Sequence, residues 1–214
     1  MIRIIYSDAR RDAAIPAIFI DRDGVINCLR TNDYVLEWRQ FVFVPGIREA
    51  LRDLSTLQLP MIVISNQAAV GKGLLRRSVL EEITARLHET LLSDSISLDG
   101  YYYCPHRVDE RCDCRKPSPN MLRRAAADFN IDLTRSVFIG DSDTDVQAAR
   151  SAGCQPVLFG LSHNMSCDPS ERLTNLPVAP TTSELYGIVV RCLQAADKAA
   201  QFRRNERIGD GLAQ

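Results

Sequence analysis

A chain of 214 residues with 45% hydrophobic and 25% charged side chains can bury one sizeable core and has the composition of a soluble globular domain. Its formal net charge of −1 supplies no broad field for nucleic acid or an anionic membrane, so an anionic ligand has to be caught by local groups. No apolar run approaches a membrane span and MIRIIYSDARRDAAIP holds no continuous apolar stretch of the secretory kind, which predicts a cytoplasmic protein without nucleic-acid or membrane partners.

The first predicted strand is Ile18–Ile20, a short apolar run that ends abruptly in Asp21, Arg22, Asp23 and Gly24. Pro45-Gly46 opens a helix with Ile47, Ala50, Leu51 and Leu54 on one face, and the apolar run Met61–Ile64 follows as a second strand ending at Ser65. Gly71-Lys72-Gly73 lacks the spacing and the following Ser/Thr of a nucleotide loop and reads as a flexible loop. A capping box of Ser78 and Glu81 starts a helix carrying Leu80, Ile83, Leu87 and Leu91. Tyr101–Tyr103 is the third strand. Ser118 as N-cap and Pro119 at the first helical position then open the helix in SPNMLRRAAADFN. Strands at Val137–Ile139 and Val157–Phe159 flank the helix in TDVQAARSAG, which closes at Gly153. Residues 160–182 read as an irregular surface connection, Leu185, Ile188, Val189, Cys192 and Leu193 mark a last amphipathic helix, and the polar tail 201–214 is expected to fray.

Strands alternating with helices predict a doubly wound parallel α/β sheet, Rossmann-like, as a single domain over residues 1–200. Ligands of such sheets bind outside the carboxyl ends of the strands. Asp21, Ser65 and Asp141 each directly follow a predicted strand, so residues far apart in sequence should converge on one crevice. A calcium loop, which also begins Asp-x-Asp, needs Gly at its sixth position and Glu at its twelfth; Ile26 and Asn32 stand there. Hard carboxylate oxygens from Asp21, Asp23 and Asp141 suit Mg²⁺, and Lys116 with Ser65 adds a cation and a hydroxyl able to hold a phosphoryl group.

Seven cysteines are present, and Cys104, Cys112 and Cys114 crowd around His106 in CPHRVDERCDCRKP. Three thiols and an imidazole in one short segment are the pattern of structural Zn²⁺, which would pin the loop ahead of Arg115 and Lys116. Cys28, Cys154, Cys167 and Cys192 are isolated and read as small apolar residues, and His88 and His163 receive no role.

The segments DRDGVIN, SNQ, RKP and GDSDTD resemble, in order, the four motifs of the haloacid dehalogenase superfamily of phosphohydrolases. The resemblance implies Asp21 as nucleophile forming an aspartyl-phosphate, Asp23 as general acid and then base, and Ser65 and Lys116 holding phosphoryl oxygens. It also implies Mg²⁺ on Asp21, the backbone carbonyl of Asp23 and Asp141, with Asp145 in support. Together with CPH…CDCRKP the pattern is similar to the D-glycero-D-manno-heptose 1,7-bisphosphate 7-phosphatase family, whose members lack a large cap domain. That family implies a sugar-phosphate substrate, with Arg115 on the remote phosphate and Asn27, Asn66, Gln67 and the loop from Arg30 to Val35 lining the pocket. It implies heptose supply for surface polysaccharide, and the chain is expected to act as a monomer. Histidinol-phosphate phosphatase is the alternative within enzymes, and an inactive zinc-stabilised binding protein the alternative outside them.

Overall fold

The computed structural model describes residues 1–7, 13–29, 34–160 and 176–211, with side chains as far as residue 203. Its strands are β1 (Ile2–Ile5), β2 (Ile18–Ile20), β3 (Met61–Asn66), β4 (Gly100–Cys104), β5 (Val137–Gly140), β6 (Gln155–Phe159) and β7 (Val178–Ala179). They form one sheet in the order β1-β4-β3-β2-β5-β6-β7, parallel throughout except where β1 runs against β4. The helices are α1 (Ile47–Ser55), α2 (Ala68–Gly71), α3 (Arg77–Ser93), α4 (Asn120–Phe129), α5 (Asp143–Ala152) and α6 (Thr182–Gly211).

Because side chains alternate across a strand, the apolar runs supply two cores. Ile18, Ile20, Val63, Tyr101, Tyr103, Val137 and Ile139 face one layer with Leu51 of α1, Leu87 of α3 and Val189 of α6. Phe19, Ile62, Ile64, Tyr102 and Phe138 face the other, with Leu122 and Phe129 of α4 and Ala148 of α5. The predicted doubly wound α/β fold is therefore the one observed, with an antiparallel edge strand added to the parallel sheet. From β2 the chain builds outward through β3 and β4, then returns to add β5, β6 and β7 on the other side. The switch point is the β2–β5 pair, where the carboxyl ends of the two strands carry Asp21 and Asp141.

Several elements depart from the sequence reading. Ile2 is buried and Ile4 packs on the core, so the opening MIRII is an edge strand. The two-residue β7 falls inside the stretch read as irregular, and it is too short to leave a periodic signal. Helix α3 starts at Arg77 with no side-chain cap, which places Ser78 inside the first turn and leaves Arg77 to pair with Glu81 at 2.8 Å. Helix α4 starts at Asn120, with Pro119 rather than Ser118 at the cap. The tail expected to fray from residue 201 is instead helical through Gly211; QAADKAAQFRRNERI is rich in strong helix formers, so propensity extends the helix beyond its buried face. Among the described residues no helix is long and apolar enough to cross a membrane. His163, Cys167 and positions 30–33 of the expected pocket loop lie outside the described residues.

One carboxylate ties the edge strand to α4. Asp128 of α4 accepts hydrogen bonds from Arg3 Nη1 of β1 (2.9 Å), Tyr102 Oη of β4 (2.8 Å) and Arg124 Nε (3.2 Å). Partial burial pushes its carboxyl up, but these donors outweigh burial and hold it below the usual range. A depressed folded-state pKa contributes stability above the unfolded value of about 3.9 that is lost as pH falls through the folded value. Asp128→Asn is expected to lower stability by about 1–2 kcal/mol at pH 7, with the difference from wild type shrinking below about pH 4, as read by urea denaturation.

Candidate active site

Asp21 still belongs to the sheet through its N–H, which donates to Ile139 C=O at 2.8 Å. The chain then curls at once: Ile26 and Asn27 N–H both return to Arg22 C=O, and Gly24 takes φ +92° with its N–H on Asn27 C=O. A Cβ on Gly24 would lie 2.0 Å from Asp141 Oδ2, so the turn has to pass this carboxylate bare. The curl sends the Asp21 and Asp23 side chains into different surroundings.

Asp21 lies in a buried group with Lys116. The ammonium is 2.9 Å from Asp21 Oδ2, 2.6 Å from Asp145 Oδ1 and 3.1 Å from Ile64 C=O. Its peptide is clasped by Asn66, whose Oδ1 accepts from Lys116 N–H at 3.0 Å and whose Nδ2 donates to Lys116 C=O at 3.2 Å. Lys116 precedes a cis proline, Pro117. Burial would lower the ammonium's pKa, but Asp145 and Asp21 overcome it and raise it. Asp145 also caps α5, accepting from Ser142 N–H and Oγ at 3.2 and 2.6 Å, and Gly140 makes room for it.

One oxygen from each of Asp21, Asp141 and Asp145 can be chosen so that all lie within 4.8 Å of one another. Three carboxylates facing one lysine leave an excess of negative charge. Burial first, then the carboxylate neighbours, push Asp21 well above the usual range, and burial with Asp145 pushes Asp141 up to about 6. Hard oxygens converging in this way fit a divalent cation of the Mg²⁺ type. Asp145, expected only in support, stands in the cluster itself, while the Asp23 carboxylate stands outside it.

Asp23 is surrounded by donors instead. Its Oδ1 accepts from Arg22 Nη2 (2.9 Å), Arg22 Nε (3.3 Å) and Asn27 Nδ2 (3.0 Å), and its Oδ2 from Gln67 Nε2 (2.7 Å) and Ser65 Oγ (3.4 Å). Against burial, Arg22 above all holds this carboxyl below the usual range. Its side chain keeps 27% exposure. The residues expected to line a pocket thus divide: Asn27 and Gln67 turn their amides to Asp23, Asn66 to the Lys116 peptide, and Arg115 Nη1 to His106 C=O at 3.4 Å. Arg22, left without a role in the sequence reading, is 1% exposed and lies 6.0 Å over the Tyr103 ring. Its signal was a single cation between two carboxylates at the end of an apolar run.

Next to Lys116, Cys104 Sγ lies 3.5 Å from Cys112 Sγ and 3.6 Å from His106 Nδ1, and Cys114 Sγ lies 3.8 and 3.4 Å from the same atoms. Zinc bonds of about 2.3 Å to sulfur and about 2.0 Å to nitrogen set tetrahedral ligands about 3.8 and about 3.5 Å apart, so these four residues fit the ion. The separations exclude a disulfide of about 2.05 Å. The Gly71-Lys72-Gly73 segment packs on this loop through Gly71 N–H to Pro105 C=O at 2.8 Å, with the Lys72 ammonium 5.3 Å over the Tyr34 ring.

Gly24→Ala is expected to weaken Mg²⁺ binding by about 10-fold or more, read by titration calorimetry. The added methyl displaces Asp141, and displacements of about 1 Å degrade such sites severely.

Comparison with known proteins agrees with this geometry. A hydrolase family model described as HAD-hyrolase-like matches residues 113–168. The chain is 40% identical over 141 residues, 66% of its length and 79% of the relative's, to a D-glycero-beta-D-manno-heptose-1,7-bisphosphate 7-phosphatase of Pseudomonas aeruginosa. It is 38% identical over 146 residues to the protein of that name from Escherichia coli K12, covering 65% of this chain and 75% of that one. A crystal structure of D,D-heptose 1,7-bisphosphate phosphatase from B. bronchiseptica, complexed with magnesium and phosphate, superposes with TM-score 0.71 at 27% identity, covering 83% of this chain and 99% of that one. The chain belongs to the D-glycero-beta-D-manno-heptose-1,7-bisphosphate 7-phosphatase family of HAD-type hydrolases.

Proposed function

We propose that this protein is a Mg²⁺-dependent phosphatase that removes the 7-phosphate of D-glycero-beta-D-manno-heptose 1,7-bisphosphate in the cytoplasm, leaving the heptose 1-phosphate. The observation that carries the reading is the buried Lys116 ammonium between Asp21 and Asp145, with Asp141 beside them, at the carboxyl ends of β2 and β5. Relatives that share 36–40% identity carry the beta anomer in their names, which favours that substrate over histidinol phosphate.

Asp21 is the nucleophile. Its carboxylate attacks phosphorus, an Asp21–phosphate bond forms, and the bond from phosphorus to the sugar O7 breaks. Asp23, two residues on and open to the cleft, gives its proton to the departing alkoxide. It then takes a proton from the water that attacks the aspartyl-phosphate, so that inorganic phosphate leaves and Asp21 is restored. Asp21, Asp141 and the Asp23 carbonyl would hold Mg²⁺, which would supply positive charge to the phosphoryl oxygens. Lys116 neutralises Asp21 and Asp145, and Ser65 Oγ offers a hydrogen bond to a phosphoryl oxygen. Arg115, on the loop that follows the cysteines, presents a fork suited to the remote 1-phosphate.

Four ligand atoms at tetrahedral spacing support a structural Zn²⁺ on Cys104, His106, Cys112 and Cys114. They carry the backbone of Arg115 and Lys116 on a segment with little apolar burial of its own.

With Mg²⁺ present, phosphate release from the beta bisphosphate should exceed that from the alpha anomer and from histidinol phosphate, and Asp21→Asn should reduce it by at least about 10³-fold with the fold intact. Faster release from histidinol phosphate would replace the substrate proposed, and an active Asp21→Asn would remove Asp21 as nucleophile. Metal analysis should return one zinc per chain, and Cys112→Ser should lower Tm by about 5–10 °C, the shift a loss of about 2–3 kcal/mol produces in a chain of this size. An unchanged Tm would remove the structural role.

A further inference from the structure

Gln67 stands next to the reacting groups, yet nothing in the mechanism so far uses it. It is 3% exposed, and its Nε2 donates to Asp23 Oδ2 at 2.7 Å and to Ser65 Oγ at 3.0 Å. Its backbone N–H donates to Cys104 C=O at 2.7 Å, which ties the same residue to the start of the cysteine loop.

The donors around Asp23 are not equivalent. Arg22 and Asn27 both serve Oδ1 and both belong to the turn that carries Asp23, so they move with it. Oδ2 is held from a different element: Gln67 at 2.7 Å, with Ser65 at a long 3.4 Å, both at the end of β3. Gln67 is therefore the strong contact that fixes the Asp23 carboxylate against the sheet. The local hydrogen bonding is otherwise incomplete, since Arg22 Nη1 and Asn27 Oδ1 are buried without a hydrogen-bond partner.

We propose that Gln67 is a positioning residue for the acid/base carboxylate of Asp23 and not a substrate-binding residue. The inference rests on the phosphatase reading above, because it needs Asp23 to move protons. It predicts a defect confined to the proton-transfer steps: donation to the leaving alkoxide, and removal of a proton from the attacking water.

The test compares wild type with Gln67→Met, which keeps the length and apolar volume of the side chain and deletes the donor. On the heptose bisphosphate, kcat should fall by about 10-fold or more, a part of the about 10²–10⁴-fold that acid–base catalysis supplies, with KM within about 3-fold of wild type. On p-nitrophenyl phosphate, whose leaving group needs no proton, a rapid-mixing experiment should show a burst of nitrophenol close to the enzyme concentration, followed by slow turnover limited by water attack. A raised KM with kcat unchanged would make Gln67 a substrate contact and overturn the inference. So would equal loss on both esters without a burst, or wild-type kinetics on both. These outcomes are separate from a failure of the underlying reading, in which wild type itself releases no phosphate from any of the esters and the inference falls with it.

Discussion

The ion pairing of Lys116 is the contact on which the rest of the site depends. One buried ammonium touches Asp21 at the end of β2, Asp145 in the first turn of α5 that follows β5, and the carbonyl of Ile64 in β3. It thereby joins neighbouring strand ends at the point where chain direction around the sheet reverses. Removing one partner of such a buried pair typically costs about 3–5 kcal/mol, because a desolvated charge is left behind. With the lysine present, Asp21, Asp141 and Asp145 still leave the pocket negative, and burial first, with the carboxylate neighbours adding to it, displaces Asp21 and Asp141 upward. An anionic ester entering this pocket needs further positive charge, which is the electrostatic reason for a divalent cation here.

Lys116 cannot hold that position by apolar packing. The segment from Arg107 to Asp113 is largely exposed, and Val108 is 72% exposed. Two devices replace a core: the cluster of three thiols and an imidazole, and the Asn66 amide that grips both sides of the Lys116 peptide. Gln67 N–H on Cys104 C=O and Gly71 N–H on Pro105 C=O stitch the same loop to the end of β3 and to α2. Loop and strand end thus form one framework that carries Lys116, Ser65 and Gln67.

What was legible in the sequence follows from the range of each interaction. Apolar runs report burial on two sheet faces, so the strands from Ile18 to Phe159 and the longer helices between them could be read directly, while the one-turn α2 at Ala68–Gly71 was too short to leave a period and its end was read as a flexible loop. So could the convergence of Asp21, Ser65 and Asp141, because topology alone brings strand ends together. The Cys/His spacing announced its cluster because all four ligands are local. The directions of Asn66 and Gln67 were illegible: both were expected on the ligand, and both face protein groups whose placement depends on the fold of distant segments. A capping box was read at Ser78, where the helix has already begun, and missed at Ser142, where Asp145 doubles as partner of Lys116. The helical tail was missed because its helicity follows propensity and not burial.

Asp21 and Asp23 are two residues apart, yet their surroundings push their carboxyls in opposite directions, up among carboxylates and down among donors. Opposed shifts in neighbouring acids mark a division of labour. The direction at Asp23 carries a further consequence for the proposed reaction. In its donor cage Asp23 is an ionised base, ready for the water-activating step and unready for donation to an alkoxide. In that reaction a phosphoryl dianion bound beside it would raise its pKa by like-charge repulsion, and the 27% exposure of its side chain gives a proton access. In the proposed reaction the acid form is created by the substrate and consumed by donation to the alkoxide, which leaves Asp23 ionised for the attacking water and lets one carboxylate serve both half-reactions without leaving its turn.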